Sequence, residues 1–183
     1  MMQLDKKAIR KSILNLKKEK GDRYLFNASL LINKQLFEQN WFIHAKRIGF
    51  YVSKEFEVET ILTIEQILKD KRVSVPKVEG DILKFYHIKS LTDLNVGTFN
   101  VFEPTTGYYT KPEEMDLIIV PMVAFNRKKY RVGYGKGFYD KYLKGFKGHT
   151  IGLSFSIAEV NEDFEDEFDI PLDMIITEKE VIK

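Results

Sequence analysis

Residues 47–76 read RIGFYVSKEFEVETILTIEQILKDKRVSVP and contain the pattern of a strand, a helix and a second strand. The apolar run at residues 47–52 predicts a short strand, and apolar residues recur at helical spacing over residues 60–69. Residues 72–76 predict the next strand, which we expect the proline to end. A strand–helix–strand unit implies parallel pairing with a right-handed crossover, so this segment predicts an α/β fold.

The α/β pattern continues outside this unit. Residues 116–121 read DLIIVP, and such a continuous apolar run is typical of a strand buried on both faces of a sheet. We therefore predict one α/β domain over residues 1–183, with a mostly parallel sheet. The same patterns predict further strands at residues 82–88, 149–155 and 174–177, a loop at 96–104, and helices at 5–18, 22–39 and 137–146.

The composition agrees with one domain of this size. The chain has 183 residues, 44% apolar and 31% charged, which is enough for a packed core. It contains no cysteine, which excludes disulfides, thiolate metal sites and cysteine nucleophiles, and three histidines argue against a multi-histidine metal site. No run approaches the ~20 apolar residues of a membrane span, and no targeting segment is visible. We therefore expect a cytoplasmic protein.

The net charge of +2 hides a strong segregation of charge along the chain. Residues 1–23 carry eight basic and three acidic side chains, and residues 127–147 carry eight basic side chains against Asp140 alone. Residues 159–180 carry ten acidic side chains against Lys179. Two basic segments and one acidic segment suggest a polyanion site with carboxylates elsewhere. Solvated helix faces and a charged tail would give the same counts.

The sharpest local feature is the segment RVGYGKGFYD at residues 131–140. Its three glycines at alternate positions let the backbone bend and approach a ligand closely. Lys136 stands between two of them, Arg131 can offer a planar fork to phosphate, and a helix is expected to begin just after the loop. Asp140 could hold a divalent cation. The spacing matches neither a dinucleotide fingerprint nor a Walker A loop, and a plain glycine-rich turn stays an equal alternative.

Three further groups of charged residues could contribute to a site. Basic side chains lie on the predicted first helix at residues 6–10, although such a face is more often merely solvated. Glu55, Glu57 and Glu59 alternate, so an extended segment would place all three on one face, near the end of a strand where α/β sheets bind ligands. Asp173 directly precedes an apolar strand and could support a metal or serve as a turn residue.

These parts follow the order in which they occur in the 5-formyltetrahydrofolate cyclo-ligase (methenyltetrahydrofolate synthetase) family, which the chain resembles over nearly its whole length. The glycine loop after the apolar strand is a highly specific sign of this family, whereas each of the other parts alone would be weak evidence for it. The resemblance is carried by Lys6-Lys7-Ala8-Ile9-Arg10, Glu57-Val58-Glu59-Thr60, Glu103-Pro104, residues 116–121 with Ala124-Phe125, residues 131–140 and residues 169–177.

The resemblance implies a fold and a reaction. The fold would be a three-layer α/β/α domain with a Rossmann-like sheet, similar to the sugar-isomerase-like proteins. In the reaction, ATP phosphorylates the formyl oxygen of 5-formyltetrahydrofolate, the neighbouring folate nitrogen attacks the activated carbon, and phosphate departs. The products are 5,10-methenyltetrahydrofolate and ADP. The expected ligands are the folate, ATP and Mg²⁺, with no nucleic acid and no membrane, and the protein is expected to be a monomer.

The resemblance also assigns residues. Lys136, Arg131 and Tyr139 are expected to act in catalysis, and Asp140 and Asp173 to support magnesium. The folate would contact Val52, Glu57, Tyr134, Gly135, Lys136, Gly137 and Phe138. ATP would be held by Lys6, Lys7, Ala8, Ile9, Arg10, Arg131, Val132, Gly133, Tyr134, Gly135, Lys136, Gly137, Phe138 and Tyr139.

The chain departs from the family pattern at a few positions. Phe138 stands where many relatives have tyrosine. Its ring could still stack on the folate, but it has no hydroxyl to form a hydrogen bond. Phe99, near a position that is aromatic in relatives, is expected to pack on substrate. Met122 and Asn126 replace the glycine and aspartate that are frequent in relatives.

Two other functions stay open. A sugar-phosphate isomerase-like enzyme would use the same anion loop, but a monophosphate site would not require the basic helix at residues 6–10. An RNA-binding module would use the two basic segments, but the acidic C-terminal third argues against a continuous basic track.

Overall fold

The computed structural model describes residues 5–97, 100–105 and 107–183, so Phe99 lies outside the described residues. The helices are α1 (Lys6–Lys20), α2 (Asp22–Phe37), α3 (Asn40–His44), α4 (Ile61–Ile67) and α5 (Phe138–Leu143). The strands are β1 (Arg47–Phe50), β2 (Arg72–Glu79), β3 (Ile82–Ile88), β4 (Leu94–Val96), β5 (Phe102–Pro104), β6 (Tyr109–Thr110), β7 (Leu117–Val120), β8 (Ala124–Phe125), β9 (Arg131–Val132), β10 (His149–Leu153), β11 (Met174–Ile176) and β12 (Val181–Ile182).

Eight of these strands form the central sheet, in the order β12-β11-β10-β7-β1-β2-β3-β6. The five strands from β11 to β2 are parallel, and β12, β3 and β6 are antiparallel to their neighbours. In the middle, Ile48 of β1 pairs with Val73 on one side and Leu117 on the other. The expected mostly parallel α/β sheet is confirmed.

The strand β7 shows why the sheet has a helical layer on each face. All four of its residues are fully buried, as a continuous apolar run predicts. Leu117 and Ile119 pack in a core with α2, α3 and α4, whereas Ile118 and Val120 pack in a second core with α1 and α5. Successive side chains of one strand therefore pack into the cores on opposite faces of the sheet, and the three-layer arrangement is confirmed.

Two predictions in the β2–β5 region are wrong. The strand β2 does not end at Pro76 but continues to Glu79, because it pairs with β3 over that length, whereas β1 pairs only as far as Ser74. Beyond that point Pro76 lies on a free edge, where its missing N–H breaks no ladder bond. Residues 96–104 are not simply a loop, since β4 and β5 pair as a short antiparallel hairpin. Three-residue strands depend on their tertiary pairing and leave little pattern in the sequence.

The helix ends shift by a few residues from the predicted positions. The helix α1 begins after Asp5, whose carboxylate accepts a hydrogen bond from the Lys7 amide at 3.0 Å. The helix α5 is shorter than predicted and begins after Gly137, which adopts a left-handed backbone with φ of 67°. Among the described residues, no helix is long and apolar enough to cross a membrane.

Candidate active site

A cavity of about 770 Å³ lies at the carboxyl ends of the parallel strands β1 and β7. Val52, just beyond β1, and Pro121, directly after β7, form part of its floor. Its walls come from α1, β2, the glycine loop before α5, and residues 166–170. Open α/β sheets bind ligands at this edge, and the volume suits one or two small molecules.

The first helix and the glycine loop meet at this cavity, although 123 residues separate them in sequence. Arg10 Nε donates a hydrogen bond to the Gly133 carbonyl at 2.6 Å. Gly135 has φ of 93°, and a Cβ there would lie 3.3 Å from Arg10 Nη2. The loop therefore needs glycine both for its backbone angle and for the approach of the guanidinium. Lys136 is exposed between the two positive-φ glycines and lines the cavity.

Most of the residues predicted to bind ATP line this cavity, but four do not. Lys7 and Ala8 are exposed on the outer face of α1, whereas Ile9 and Val132 are buried in the core. The cavity is lined by Lys6, Arg10, Arg131, Gly133, Tyr134, Gly135, Lys136, Gly137, Phe138 and Tyr139.

The acidic segment supplies counter-charges to the basic segments. Lys6 Nζ lies 2.7 Å from Asp166 Oδ2 and 2.5 Å from Asp169 Oδ2. Partial burial alone would lower the pKa of Lys6, but these two hydrogen bonds raise it. Arg10 and Lys136, in contrast, have no ion-pair partner within the described part of the chain. Further pairs join Arg127 to Glu159 and Glu180, and Lys128 to Asp163 and Glu165.

Arg131 is engaged within the protein. It is 5% exposed, its Nη2 donates to Asp140 Oδ1 at 2.8 Å, and its Nη1 donates to the Ile170 carbonyl at 2.9 Å. Burial lowers the pKa of Arg131, and the Asp140 carboxylate opposes that shift. In the structure the guanidinium ties α5 to residue 170, so a direct contact between Arg131 and phosphate stays a prediction.

Glu57 lies beside Tyr134 of the glycine loop, in a turn that hydrogen bonds hold in place. The Lys54 amide donates to Glu57 Oε2 at 2.9 Å, and Phe56 takes a left-handed backbone with φ of 67°. At the base of the turn, the Thr60 hydroxyl donates to the Tyr51 carbonyl at 2.8 Å. Desolvation by burial raises the pKa of Glu57 to about 7, although hydrogen bonding and nearby lysines oppose the rise.

The expectation that three glutamates share one face is wrong, because this segment turns instead of running extended. Glu55 is exposed, and Glu59 Oε1 accepts a hydrogen bond from the Leu62 amide at the start of α4 at 3.1 Å. Of the three, Glu57 alone lines the cavity, together with Val52.

Tyr139 offers a polar group without a partner. Its hydroxyl is buried and forms no hydrogen bond within the residues that the structure describes, although the side chain lines the cavity. Burial raises the pKa of Tyr139, so the hydroxyl keeps its proton. A buried hydroxyl without a partner is costly, and a bound ligand could accept its hydrogen bond.

Comparison with known proteins decides which family this arrangement represents. The family model described as the 5-formyltetrahydrofolate cyclo-ligase family matches residues 2–178. The chain belongs to the 5-formyltetrahydrofolate cyclo-ligase family. A 5-formyltetrahydrofolate cyclo-ligase from Mus musculus is 27% identical over 166 residues, which are 82% of each chain.

Solved structures of family members share the fold. The NMR structure of Aquifex aeolicus 5,10-methenyltetrahydrofolate synthetase is 34% identical with a TM-score of 0.87, covering 96% of this chain and 91% of that one. A 5,10-methenyltetrahydrofolate synthetase from Mycoplasma pneumoniae is 26% identical with a TM-score of 0.79, covering 96% and 99%. The further likeness to sugar-isomerase-like proteins is not tested by these comparisons and stays a prediction.

The two aspartates expected to support magnesium in this cyclo-ligase family do not come together. Asp140 lines the cavity, and its Oδ1 accepts from Arg131 and the Ile170 amide, while Oδ2 has no hydrogen-bond partner among the described residues. Asp173 lies before β11, and its Oδ2 accepts from the Thr150 amide at 2.9 Å. That position is at the amino ends of β10 and β11, the opposite edge of the sheet from the cavity.

A magnesium site would therefore depend on one protein carboxylate. No group of three or more His, Asp or Glu side chains suited to a metal occurs in the described ranges. Mg²⁺ is often held by one or two carboxylates together with substrate phosphates and waters. Asp140 fits such a site, because one of its oxygens is unused and the residue lines a cavity with phosphate-binding features.

Two residues that line this cyclo-ligase site, and one buried lysine whose charge acts on Glu57, were not predicted from the sequence. Lys54 Nζ lies 3.4 Å from the centre of the Tyr134 ring and connects the Glu57 turn to the glycine loop. Lys17 is 1% exposed, lies over the Phe155 ring at 5.5 Å, and has its pKa lowered to about 8 by burial. Lys17 follows Ile13 by four residues and so falls on the apolar face of α1, and this spacing could have predicted its burial. Phe168 lines the cavity although it follows a charged run.

Proposed function

We propose that this protein catalyses the ATP-dependent cyclisation of 5-formyltetrahydrofolate to 5,10-methenyltetrahydrofolate, with release of ADP and phosphate. The observation that carries the proposal is a cavity lined by two chemically different groups of residues, which we assign to its two ends. In the first group, Arg10 of α1 holds the glycine loop beside Lys136. The second group contains Glu57, Val52, Tyr51 and apolar side chains of β2 and β3, and it meets the first where Tyr134 hydrogen-bonds with Glu57.

The first end suits a triphosphate. Arg10 and Lys136 bring positive charge without acidic partners in the described residues, and the glycine loop lets the phosphates approach the backbone. Lys6 stands one turn before Arg10, and its two aspartate partners hold it at the same mouth of the cavity. Phosphoryl transfer requires mainly positioning and charge neutralisation, and these groups supply both.

The second end suits a flat ring with polar edges. The lining residues Pro76, Val78 and Leu83 offer apolar contact to a pterin. Glu57 provides an acceptor for the ring's N–H groups, and its raised pKa makes its charge sensitive near neutral pH. Phe138, which also lines the cavity, offers a ring face for stacking in place of the tyrosine of many relatives.

The reaction proceeds in two steps across the junction of the two ends. The formyl oxygen attacks the γ-phosphorus and displaces ADP, which converts a poor leaving group into a phosphate ester. The neighbouring folate nitrogen then attacks the formyl carbon, loses its proton, and the carbon–oxygen bond breaks as phosphate departs. We propose that Lys136 neutralises the negative charge of the transferred phosphoryl group. The Tyr139 hydroxyl would donate a hydrogen bond to an oxygen of the reacting groups. Arg131 contributes by holding Asp140 and residue 170 in place.

Magnesium and the overall organisation belong to the same proposal. Asp140 Oδ2 would hold Mg²⁺, which neutralises phosphate charge when bound. Residues 1–183 would form one cyclo-ligase domain, since α1 completes the site built by the glycine loop. Within this proposal the protein acts as a monomer in the cytoplasm.

The alternative functions gain less support. The basic segments are partly neutralised by internal ion pairs of Lys6, Arg127 and Lys128, which interrupts the continuous basic track that RNA binding requires. An isomerase acting on a sugar monophosphate would leave the apolar end with Glu57 unused.

The assignment is tested by an absorbance assay for the methenyl product with 5-formyltetrahydrofolate, ATP and Mg²⁺. We expect product with the wild-type protein and a loss of turnover on the order of 10²-fold for Lys136→Ala, because phosphoryl charge goes uncompensated. Lys147→Ala, an exposed lysine outside the cavity, is the matched control. Full activity of Lys136→Ala would refute its role, and no product with folded wild-type protein would refute the function.

A further inference from the structure

Phe168 is an aromatic side chain that lines the cavity and yet is 75% exposed. It is more exposed than the other large apolar side chains of the described residues. An exposed ring at the rim of a ligand cavity presents its face to whatever enters. A flat ligand group that covered this face would remove apolar surface from water.

The turn that carries Phe168 is held in place from several sides. The Phe168 amide donates to Asp166 Oδ1 at 2.9 Å, and the Asp166 amide donates to Asp169 Oδ2 at 2.8 Å. Lys6 of α1 bridges both carboxylates. Ile170, two residues after Phe168, donates its amide to Asp140 Oδ1 at 3.0 Å. Because α1 and α5 both anchor the turn, the backbone that carries the ring is held in place, which reduces the entropy lost on binding.

The place of this turn in the cavity identifies the ligand group that would meet it. In the reaction proposed above, the γ-phosphate meets the formyl group near Glu57, whose carboxylate hydrogen-bonds with Tyr134 of the glycine loop. The phosphates then lie along the glycine loop and Arg10, and the base lies on the side of the phosphates away from the folate. The turn that carries Phe168 is bound to Lys6, one helical turn before Arg10, so we place the base beside this ring.

We propose that Phe168 is the platform on which the adenine ring of ATP stacks. The proposal rests on the ATP-dependent reaction proposed above and adds the residue that contributes affinity for the base. Stacking on an aromatic ring uses the π-face that every base has, so this contact favours nucleotides over inorganic phosphates.

The first test is calorimetric binding of ATP and of inorganic triphosphate, with Mg²⁺ present. We expect Phe168→Ala to bind ATP about 5- to 20-fold more weakly, the lower part of the range for base stacking, and to bind triphosphate like the wild type. The Michaelis constant for ATP should rise by the same factor, and that for the folate should not. Phe26→Ala removes another exposed phenylalanine, 47% exposed on α2 outside the cavity, and should change neither affinity.

The second test is spectroscopic. In Phe168→Trp, the new indole should stack on the base, so its fluorescence should be quenched by ATP but not by triphosphate. The single natural tryptophan, Trp41, stacks on His149 at 4.0 Å at the amino-terminal edge of the sheet and gives the background signal in the wild type.

Three outcomes would overturn the proposal. They are unchanged ATP affinity in Phe168→Ala, equal losses for ATP and triphosphate, and a rise in the Michaelis constant for the folate instead of ATP. A wild-type protein that binds ATP in this manner but makes no methenyl product would refute the proposed reaction and leave the base platform standing, so the two failures are distinguishable.

Discussion

Replacement of Glu57 by glutamine should stabilise the protein at alkaline pH while it removes the acceptor carboxylate of the folate end. Glu57 is partly buried, and its pKa is raised from 4.5 to about 7, mainly by desolvation. Ionised Glu57 therefore destabilises the folded state. Glutamine has nearly the same shape, and its carbonyl can still accept the Lys54 amide, so the substitution removes the charge but keeps the turn.

The pH dependence follows from the direction of this shift. Between pH 4.5 and about 7 the folded state binds more protons at Glu57 than the unfolded state does, so wild-type stability falls as pH rises. Below pH 4.5 the side chain is neutral in both states, and the cost is absent. Above pH 7 the cost is complete, and 2.5 pKa units correspond to at most about 3 kcal/mol. Residual solvent contact in the cavity reduces this figure.

The assay is urea unfolding of both proteins at pH 5 and pH 8.5. We expect the difference in unfolding free energy between Glu57→Gln and the wild type to increase, in favour of the variant, by about 1–3 kcal/mol from pH 5 to pH 8.5. We also expect Glu57→Gln to bind the folate more weakly. Glu55→Gln, two residues earlier and exposed, is the matched control and should show no such gain. A Glu57→Gln protein whose relative stability is the same at both pH values would refute the inference that burial raises the pKa.

Two further predictions concern the nucleotide end. Gly135→Ala should cost about 1–2 kcal/mol of unfolding free energy, because φ of 93° is strained for alanine and its Cβ would press on Arg10. Gly133→Ala, with open space around its Cβ, should cost less in the same denaturation assay, and equal losses would contradict the account of the loop. Asp140→Asn should raise the Mg²⁺ concentration for half-maximal rate and lower stability, because Arg131 loses its partner. An unchanged magnesium titration would remove Asp140 as a ligand.

The elements with strong local patterns were predictable from sequence. The apolar run of β7 predicted a strand buried on both faces, and its four residues are fully buried. The glycine loop was predicted to bend toward a ligand, and Gly135 and Gly137 have positive φ. Such features are encoded in a few neighbouring residues, so the sequence pattern is sufficient to identify them.

Features that depend on partners distant in sequence were not predictable. Arg131 looked like a free phosphate fork, but it is paired with Asp140 and the Ile170 carbonyl. Asp173 looked like a partner of Asp140, but the direction of β11 puts it at the other edge of the sheet. The segregated charges suggested a polyanion site, and part of that segregation is internal pairing, as in Lys6 with Asp166. Pairings of this kind are set by topology, which residue spacing does not record.

The central claim is that ATP phosphorylates the formyl oxygen, and an isotope experiment tests it most directly. The folate carries ¹⁸O in its formyl group and is converted in one cycle with ATP, and the released phosphate is analysed by mass spectrometry. If the formyl oxygen attacks the γ-phosphorus, we expect the label to appear in inorganic phosphate together with the methenyl product. Methenyl product accompanied by unlabelled phosphate would contradict the account.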